Sequence, residues 1–374
     1  MHFPLNGASR AIVRDLVIHG PRSRAELAER LRLSPGSLTR LTKPLLDAGL
    51  LTEMAAVTGG QGRPSTPLDL VPAAVCFVGV KLTGGEVFAV LTDLRAEVLA
   101  TRRARLTSQA PEAVCGVVVG LVEELVAHRA GPVRVGVTFG GRSPDRAHAF
   151  APFLGWQSSV PLAEMVTRAT GLPCVLDNDV VALAESHHWF GAGRGRSRFA
   201  LVTIGAGIGY ALVLHDRILR SEEADIGVLG HHVIDRTGPY CSEGHRGCVS
   251  GYLLSESVAA AASAALRRLV GYDEALDLAE EGDPAVRCVV DEAGLALGRL
   301  LSSVAALSMT TSIILSGEGA RLALVAAGAV QSGVSETRPS WADPLDLDVQ
   351  VVDFDAWARG AAVIAMQHFV LGVD

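Results

Sequence analysis

Two stretches of this chain open in the same way, and that repetition constrains the fold more than any other feature. CFVGVKL (76–82), EVFAVLTDL (86–94) and EVLATRRARL (97–106) read as three strands joined by tight turns. RFALVTIG (198–205), IGYALVLHD (208–216) and the short RILR (217–220) read as three more. Alternating helices and strands follow each opening. After the first come a helix (111–128), the strand VRVGVTF, a helix (161–170) and a strand ending in LDND. After the second come helices over 251–270 and 284–308, the strands TSIILSG and DLDVQVVD, and a last helix over 355–370. Strand triplets followed by α/β units predict two similar lobes with a ligand cleft between them.

A chain of 374 residues is long enough for two or three domains, and 49% hydrophobic against 20% charged residues excludes a disordered protein. The longest uncharged run, Leu300–Gly317, is broken by serines and threonines and reads as a buried helix entering a buried strand, not a membrane span. MHFPLNGASR has no apolar signal-peptide core, and the six cysteines follow no disulfide framework, so a cytoplasmic protein with reduced thiols is expected. Net charge is −7 but uneven: residues 1–75 carry +3 and the remainder −10. Only this small basic head suits a polyanion.

The head reads as three helices and a hairpin. Residues 8–19 put Ile12, Val13, Leu16 and Val17 on one face, and Gly20-Pro21 stops that helix. Ser23 with Glu26 forms a capping box for a second helix, and Ser34 caps a third that has Pro35 at its first position. Leu38, Leu41 and Leu45 face inward; Ser37, Arg40 and Lys43, with Thr39 at the edge, face out. Pro44 costs a helix interior roughly 3 kcal/mol, which predicts a kinked or shortened third helix. VTGGQGRPSTPLDLVP then suits a wing whose Arg63 enters a minor groove. This is the pattern of a winged helix-turn-helix that binds double-stranded DNA through Ser34, Ser37, Thr39, Arg40, Lys43 and Arg63. A protein-docking module followed by a linker is the alternative.

Three constellations in the body carry chemistry. IGAGIG (204–209) lies between two strands, where its glycines admit a phosphate to backbone N–H groups or simply make a tight hairpin. LDNDV places Asn178 and Asp179 at a strand end, suited to taking a proton from a hydroxyl or to capping a helix. GHHVIDRTGPYCSEGHRGC (230–248) is dense in metal-ligand types, or is a loop that holds no metal.

The chain resembles the ROK family (repressors, open reading frames, kinases), in particular its transcription-factor branch. The likeness rests on SRAELAERLRLSPGSLTRLTKPLLDAGLL and GGQGRPSTPLDLVP in the head. In the body it rests on APFLGW, LDNDV, WFGAGRG, VTIGAGIG, LGHH…CSEGHRGC, ILSGEGA and ARGAA. It implies an α/β, actin/hexokinase-like two-lobed ATPase fold (the ROK domain) behind a winged-helix DNA-binding domain. The expected boundaries are 1–73 for the head and 74–374 for the body, with lobes over about 74–187 plus the C-terminal helix and over 188–354.

The resemblance implies structural zinc held by His231, Cys241, Glu243 and Cys248, with His245 as a rival for Glu243. It implies effector contacts at Asn178, Asp179, His231, Gly205 and Gly207, and a homodimer or homotetramer. Departures from the family's kinases decide the branch. Lys81 and Thr83 replace the acid and first glycine of the first phosphate loop, and Phe153, Val228 and Ser250 replace polar sugar ligands. A lysine cannot help hold magnesium on ATP as a carboxylate does. The expectation is a DNA-binding regulator, a repressor by the family's habit, with a small sugar-like effector, no ATP, no membrane and only a vestigial base at Asp179. The alternative is an ATP-dependent sugar kinase using Asp179.

Overall fold

The computed structural model describes residues 5–55, 66–129, 131–221 and 227–372. Its head elements begin where their caps dictate. Asn6 caps α1 (Gly7–His19), which buries Ile12, Val13, Leu16 and Val17. The Ser23–Glu26 box opens α2 (Arg24–Arg30) with both reciprocal bonds formed. Ser34 caps α3 (Pro35–Asp47), with Pro35 in its first turn. The expected shortening of this helix does not occur: α3 runs through Pro44 to Asp47. Pro44 and Arg40 are both exposed, so water can take the Arg40 carbonyl that the missing N–H would have bonded. Strands β1 (Leu51–Glu53) and β2 (Leu68–Leu70) pair antiparallel, with Leu51 opposite Leu70, and Arg22 bridges to Leu68. The connection between them, 56–65, includes Arg63 and lies outside the described residues. Buried Asp15 on α1 receives Arg30 Nε of α2 at 2.8 Å, tying the two helices together.

The chain divides into two compact units, Met1–Phe190 with Trp357–Asp374, and Gly191–Ala356. In the first unit the head continues into β3 (Cys76–Leu82), β4 (Glu86–Thr92), β5 (Val98–Arg105), α4 (Pro111–Val126), β6 (Val133–Phe139), a small hairpin β7 (Ala149–Ala151) and β8 (Trp156–Val160), α5 (Leu162–Thr170), β9 (Cys174–Asn178) and α6 (Asp179–Phe190). The sheet order is β5-β4-β3-β6-β9, antiparallel across the opening triplet and parallel from β3 to β9.

The second unit repeats this plan. It contains β10 (Arg198–Ile204), β11 (Ile208–Leu214), β12 (Arg217–Ile218), α7 (Val249–Leu253), α8 (Ser255–Leu266), α9 (Tyr272–Glu280), α10 (Pro284–Ser308), β13 (Ser312–Gly317), α11 (Arg321–Val325), α12 (Ala327–Thr337) and β14 (Asp346–Val351). Its sheet order, β12-β11-β10-β13-β14, is the same triplet-plus-parallel arrangement. The single helix expected over 251–270 is two, broken at Leu254, and α9, α11 and α12 lie in stretches where the sequence had suggested none.

Helix α13 (Phe354–Met366) returns to the first unit and lies directly on its sheet. Gly79 on β3 makes this approach possible: a Cβ there would stand 2.0 Å from the Ala358 carbonyl oxygen. α13 also packs on α6, where Gly360 meets the Ala182 backbone, and His187 and His188 of α6 are buried. Glu185 between the two helices accepts from Gln367 Nε2 at 2.9 Å. One apolar cluster joins Ile12, Val13 and Leu16 of α1 to Trp189 of α6 and Ala362, Val363 and Met366 of α13. Arg14 stacks over Trp189 at 5.5 Å, and Arg95 pairs with Asp69, so the head is packed onto this unit rather than tethered to it. All six cysteines are free thiols; Cys76 and Cys115 are buried and Cys288 is exposed. Among the described residues no helix is long and apolar enough to cross a membrane.

Candidate functional site

On α3 the periodicity sets the outward face. Leu38 and Leu45 are fully buried, and Thr39, Arg40 and Lys43 are exposed. Neither Arg40 nor Lys43 forms an ion pair among the described residues. Ser34 is already employed: its oxygen accepts the Ser37 N–H at 3.2 Å, and its hydroxyl donates to Ser37 Oγ at 2.9 Å. Ser37 is half-buried. Thr39 Oγ1 donates back to the Pro35 carbonyl at 3.0 Å. The exposed cations of this face are Arg40 and Lys43.

In the first unit β9 delivers Asn178 and Asp179 to the start of α6. Asn178 proves to be the helix cap, because its Oδ1 accepts the N–H groups of Val180 (2.8 Å) and Val181 (3.1 Å). Its amide donates to the Gly141 carbonyl at 3.0 Å, so this side chain is spent on structure. Asp179 is held differently. Its Oδ2 receives Lys81 Nζ, and both side chains are at most a tenth exposed. Lys81 comes from the end of β3, where it also lies 5.1 Å from the centre of the Trp357 ring. Asp179 Oδ1 accepts the Val180 N–H at 2.9 Å. Both oxygens of the would-be base are engaged by the protein. Beside them Asp179 Oδ2 and the Phe153 ring flank Gly140, at 3.7 and 3.9 Å from where a Cβ would be. Phe153, in the place of a polar sugar ligand, remains 39% exposed.

Gly205, Gly207 and His231 belong to the second unit. The Gly205–Gly209 turn connects β10 to β11, as the tight-hairpin reading expects. It is not open: Glu318, which the sequence did not single out, places its Oε1 on the Ala206 N–H at 2.8 Å. Gly230, just before His231, packs on Ile208 and Ser250, each 3.7 Å from a Cβ position. Of the two remaining altered sugar positions, Val228 is exposed, and Ser250 is buried with no partner for its hydroxyl among the described residues.

The knuckle gathers His231, Cys241, His245 and Cys248, whose ligand atoms all lie within 4.8 Å of one another. This corrects the expected set: the fourth member is His245, and Glu243 is exposed and outside the cluster. The cause is the turn. Gly244 N–H bonds the Cys241 carbonyl and Cys241 N–H bonds the His245 carbonyl, each at 2.9 Å, which brings residue 245 back alongside 241 and leaves 243 at the tip. Gly247, with φ +75°, is obligatory, since a Cβ would fall 1.5 Å from the Asp235 carbonyl oxygen. Cys241 Sγ stands 3.7 Å from His231 Nδ1, a separation one tetrahedral ion with two such ligands would give. Burial pushes the Cys241 thiol up, but the N–H groups of Glu243 and His245 prevail and hold it below its usual range. Burial raises the Cys248 thiol. Two sulfurs and two imidazoles form a donor set that could hold a metal ion of borderline softness.

The chain is similar to known proteins over most of its length. Residues 77–368 match the model of the ROK family. The xylose repressor of Bacillus spizizenii is 22% identical over 367 residues, spanning 96% of this chain and 95% of that protein. The DNA-binding transcriptional repressor Mlc of Escherichia coli is 21% identical, over 92% and 89%. Among solved structures, a ROK-family transcriptional regulator described as a homologue of E. coli Mlc superposes with a TM-score of 0.80 at 25% identity, covering 97% of this chain and 96% of its own. A ROK-family glucokinase from Streptomyces griseus, in complex with glucose and AMPPNP, superposes with a TM-score of 0.67 at 22% identity. It covers 78% of this chain and 99% of its own. The repressors thus extend over the head as well as the body, and the glucokinase shares the fold over about the body's share of the chain. With the family model covering most of its length, the chain belongs to the ROK family.

Proposed function

We propose that this protein is a DNA-binding transcriptional regulator, a repressor, whose kinase-like body senses a small effector and transfers no phosphoryl group. The buried Lys81–Asp179 pair carries the choice. A general base must have a free oxygen within hydrogen-bond reach of a substrate hydroxyl, and here the ammonium of Lys81 occupies that oxygen. The full-length likeness to named repressors supports the same reading.

The head, 1–73, would bind operator DNA as a winged helix-turn-helix, with α3 in the major groove, Arg40 and Lys43 on phosphate or base edges, and Arg63 in the adjacent minor groove. A homodimer would present two heads to a palindromic site. The body, 74–374, would take a sugar or sugar derivative, as the relatives named for xylose and N-acetylglucosamine suggest. With Phe153 beside Asp179, that ligand is less polar than a free hexose. α6 offers the route to the head, because it starts at Asp179 and ends at Trp189–Phe190, where Arg14 of α1 is stacked. A ligand that shifts α6 bears on α1 through that contact and biases DNA affinity.

Zinc is the ion we assign to His231, Cys241, His245 and Cys248. It would serve as a structural cross-link that fixes the loop carrying His231. We assign the protein to the cytoplasm. DNA from upstream of its own gene is the test ligand. Arg40→Ala and Lys43→Ala are each expected to weaken binding and to lower the salt-dependence slope by about 1. Unchanged affinity and slope in both would remove α3 from the interface, and hexose-dependent ATP turnover lost in Asp179→Asn would overturn the reading as a whole.

A further inference from the structure

The turn after β13 presses on the glycine turn after β10. A Cβ on Gly319 would lie 2.8 Å from the Ile204 carbonyl oxygen, and Gly319 N–H donates to that same oxygen at 2.9 Å. Tyr272 fastens the turn from the other side, its hydroxyl donating to the Gly319 carbonyl at 2.7 Å. Burial first, and then the negative charges of Asp273 and Glu318, push the Tyr272 phenol well up, so it stays a donor. Glu318 is thereby held over the loop. Its Oε1 accepts the Ala206 N–H at 2.8 Å and lies 2.1 Å from where a Cβ on Gly205 would be. Gly205 is thus what lets a carboxylate reach this N–H. The same opening is what would let a phosphate oxygen reach it.

We infer that Glu318 is a specificity-determining residue: its carboxylate fills the anion seat of the Gly205–Gly209 turn and bars phosphate-bearing ligands from it. An incoming phosphate oxygen would need the Ala206 N–H that Glu318 already holds, and would meet a like charge at hydrogen-bonding range. No bond forms or breaks; the effect is exclusion. The inference rests on the reading of the body as a non-phosphorylating sensor and deepens it. Asp179 is occupied in one unit by Lys81, the glycine turn is occupied in the other by Glu318, and effector recognition is left independent of nucleotide.

The experiment uses the full chain and pyrophosphate, followed by calorimetry and by thermal shift, in wild type, Glu318→Ala and Glu318→Gln. Wild type is expected to bind no pyrophosphate at millimolar concentration. Glu318→Ala is expected to bind at least about tenfold more tightly, a difference of about 1.4 kcal/mol. Glu318→Gln removes the charge but keeps an acceptor for the Ala206 N–H, so it should fall between them. AMPPNP should follow the same order. Wild-type binding equal to that of the variants overturns the inference. So does the absence of any gain in Glu318→Gln, the isosteric variant, shown to be folded by its circular dichroism. Failure of the regulator reading would show up elsewhere, as ATP turnover or loss of operator binding by wild type, and the pyrophosphate titration measures neither.

Discussion

The two units share a sheet plan and differ in how each closes the end of its opening strand. At the end of β3 the first unit carries a cation, Lys81, sealed by the carboxylate of Asp179 from the end of β9. At the end of β10 the second unit offers only backbone N–H groups, met by the carboxylate of Glu318 after β13. Both acids follow a strand of the parallel half of their sheet, where ligands of open α/β sheets usually bind. The two seats are equivalent, at the ends of β3 and β10, but they are filled by different chemistry from different strands: β9 is the outer strand of its sheet, and β13 is the immediate neighbour of β10. What separates them energetically is burial. Lys81 and Asp179 are nearly out of solvent, whereas Glu318 is half-buried beside an exposed Ala206.

That contrast predicts the largest effect. Removing one partner of a buried ion pair leaves the other charge uncompensated, at a cost of about 3–5 kcal/mol. Lys81→Ala should lower stability by that amount in urea denaturation. The double change Lys81→Met with Asp179→Leu should recover most of it, since apolar replacements leave no orphan charge. Glu318→Ala should cost under about 1 kcal/mol, because water replaces the carboxylate at the Ala206 N–H. Equal losses from Lys81→Ala and Glu318→Ala would break the comparison.

The next effect sharpens it from within the second unit. If the knuckle is a zinc cross-link, His245→Ala and Cys248→Ser should each empty it, read as zinc per chain by metal analysis of purified protein. Glu243→Ala should leave zinc content unchanged. Retained zinc in His245→Ala with loss in Glu243→Ala would restore the ligand set first read from the sequence. The metal-dependent part of the melting temperature should move in parallel, since ion binding to the folded chain adds to its stability.

How much of this was legible varied with the length scale of the determinant. The two strand triplets, the caps at Ser23 and Ser34 and the buried faces of α1 and α3 depend on local pattern, and the structure repeats them. Lys81 was recognisable as the wrong charge for a phosphate loop. Its pairing with Asp179 spans 98 residues and required the β3–β6–β9 order. The burial of Glu185 on α6 beside Gln367 likewise depends on a segment from the far end of the chain, which local pattern does not reveal. Glu243 sat at the right count from Cys241, but the backbone turn, not the count, decides which side chain returns to the cluster. Glu318 carried one signal, an acid between two glycines directly after a buried strand, and that pattern gains meaning only once the turn is seen resting on Gly205.

The smallest effect belongs to the head and tests the same distinction at its exposed limit. Glu26 accepts the Ser23 N–H at 2.8 Å, and that bond, with help from the Ser23 hydroxyl and from Arg22 and Arg30, holds its carboxyl below the ordinary range. A depressed folded value means that the capping box contributes stability above the unfolded pKa of about 4.3 and loses it as pH falls through the folded value. The residue is largely solvated, so the loss is a fraying of α2's first turn and leaves the chain folded. Amide exchange at Ser23 and Leu27 should quicken between about pH 5 and pH 3 beyond the intrinsic rate. In Glu26→Gln, whose acceptor does not titrate, that pH dependence should vanish while the buried core of α1 and α3 keeps its protection. A pH response that survives Glu26→Gln would take the acid sensitivity of α2 away from its cap and break the comparison at its exposed end.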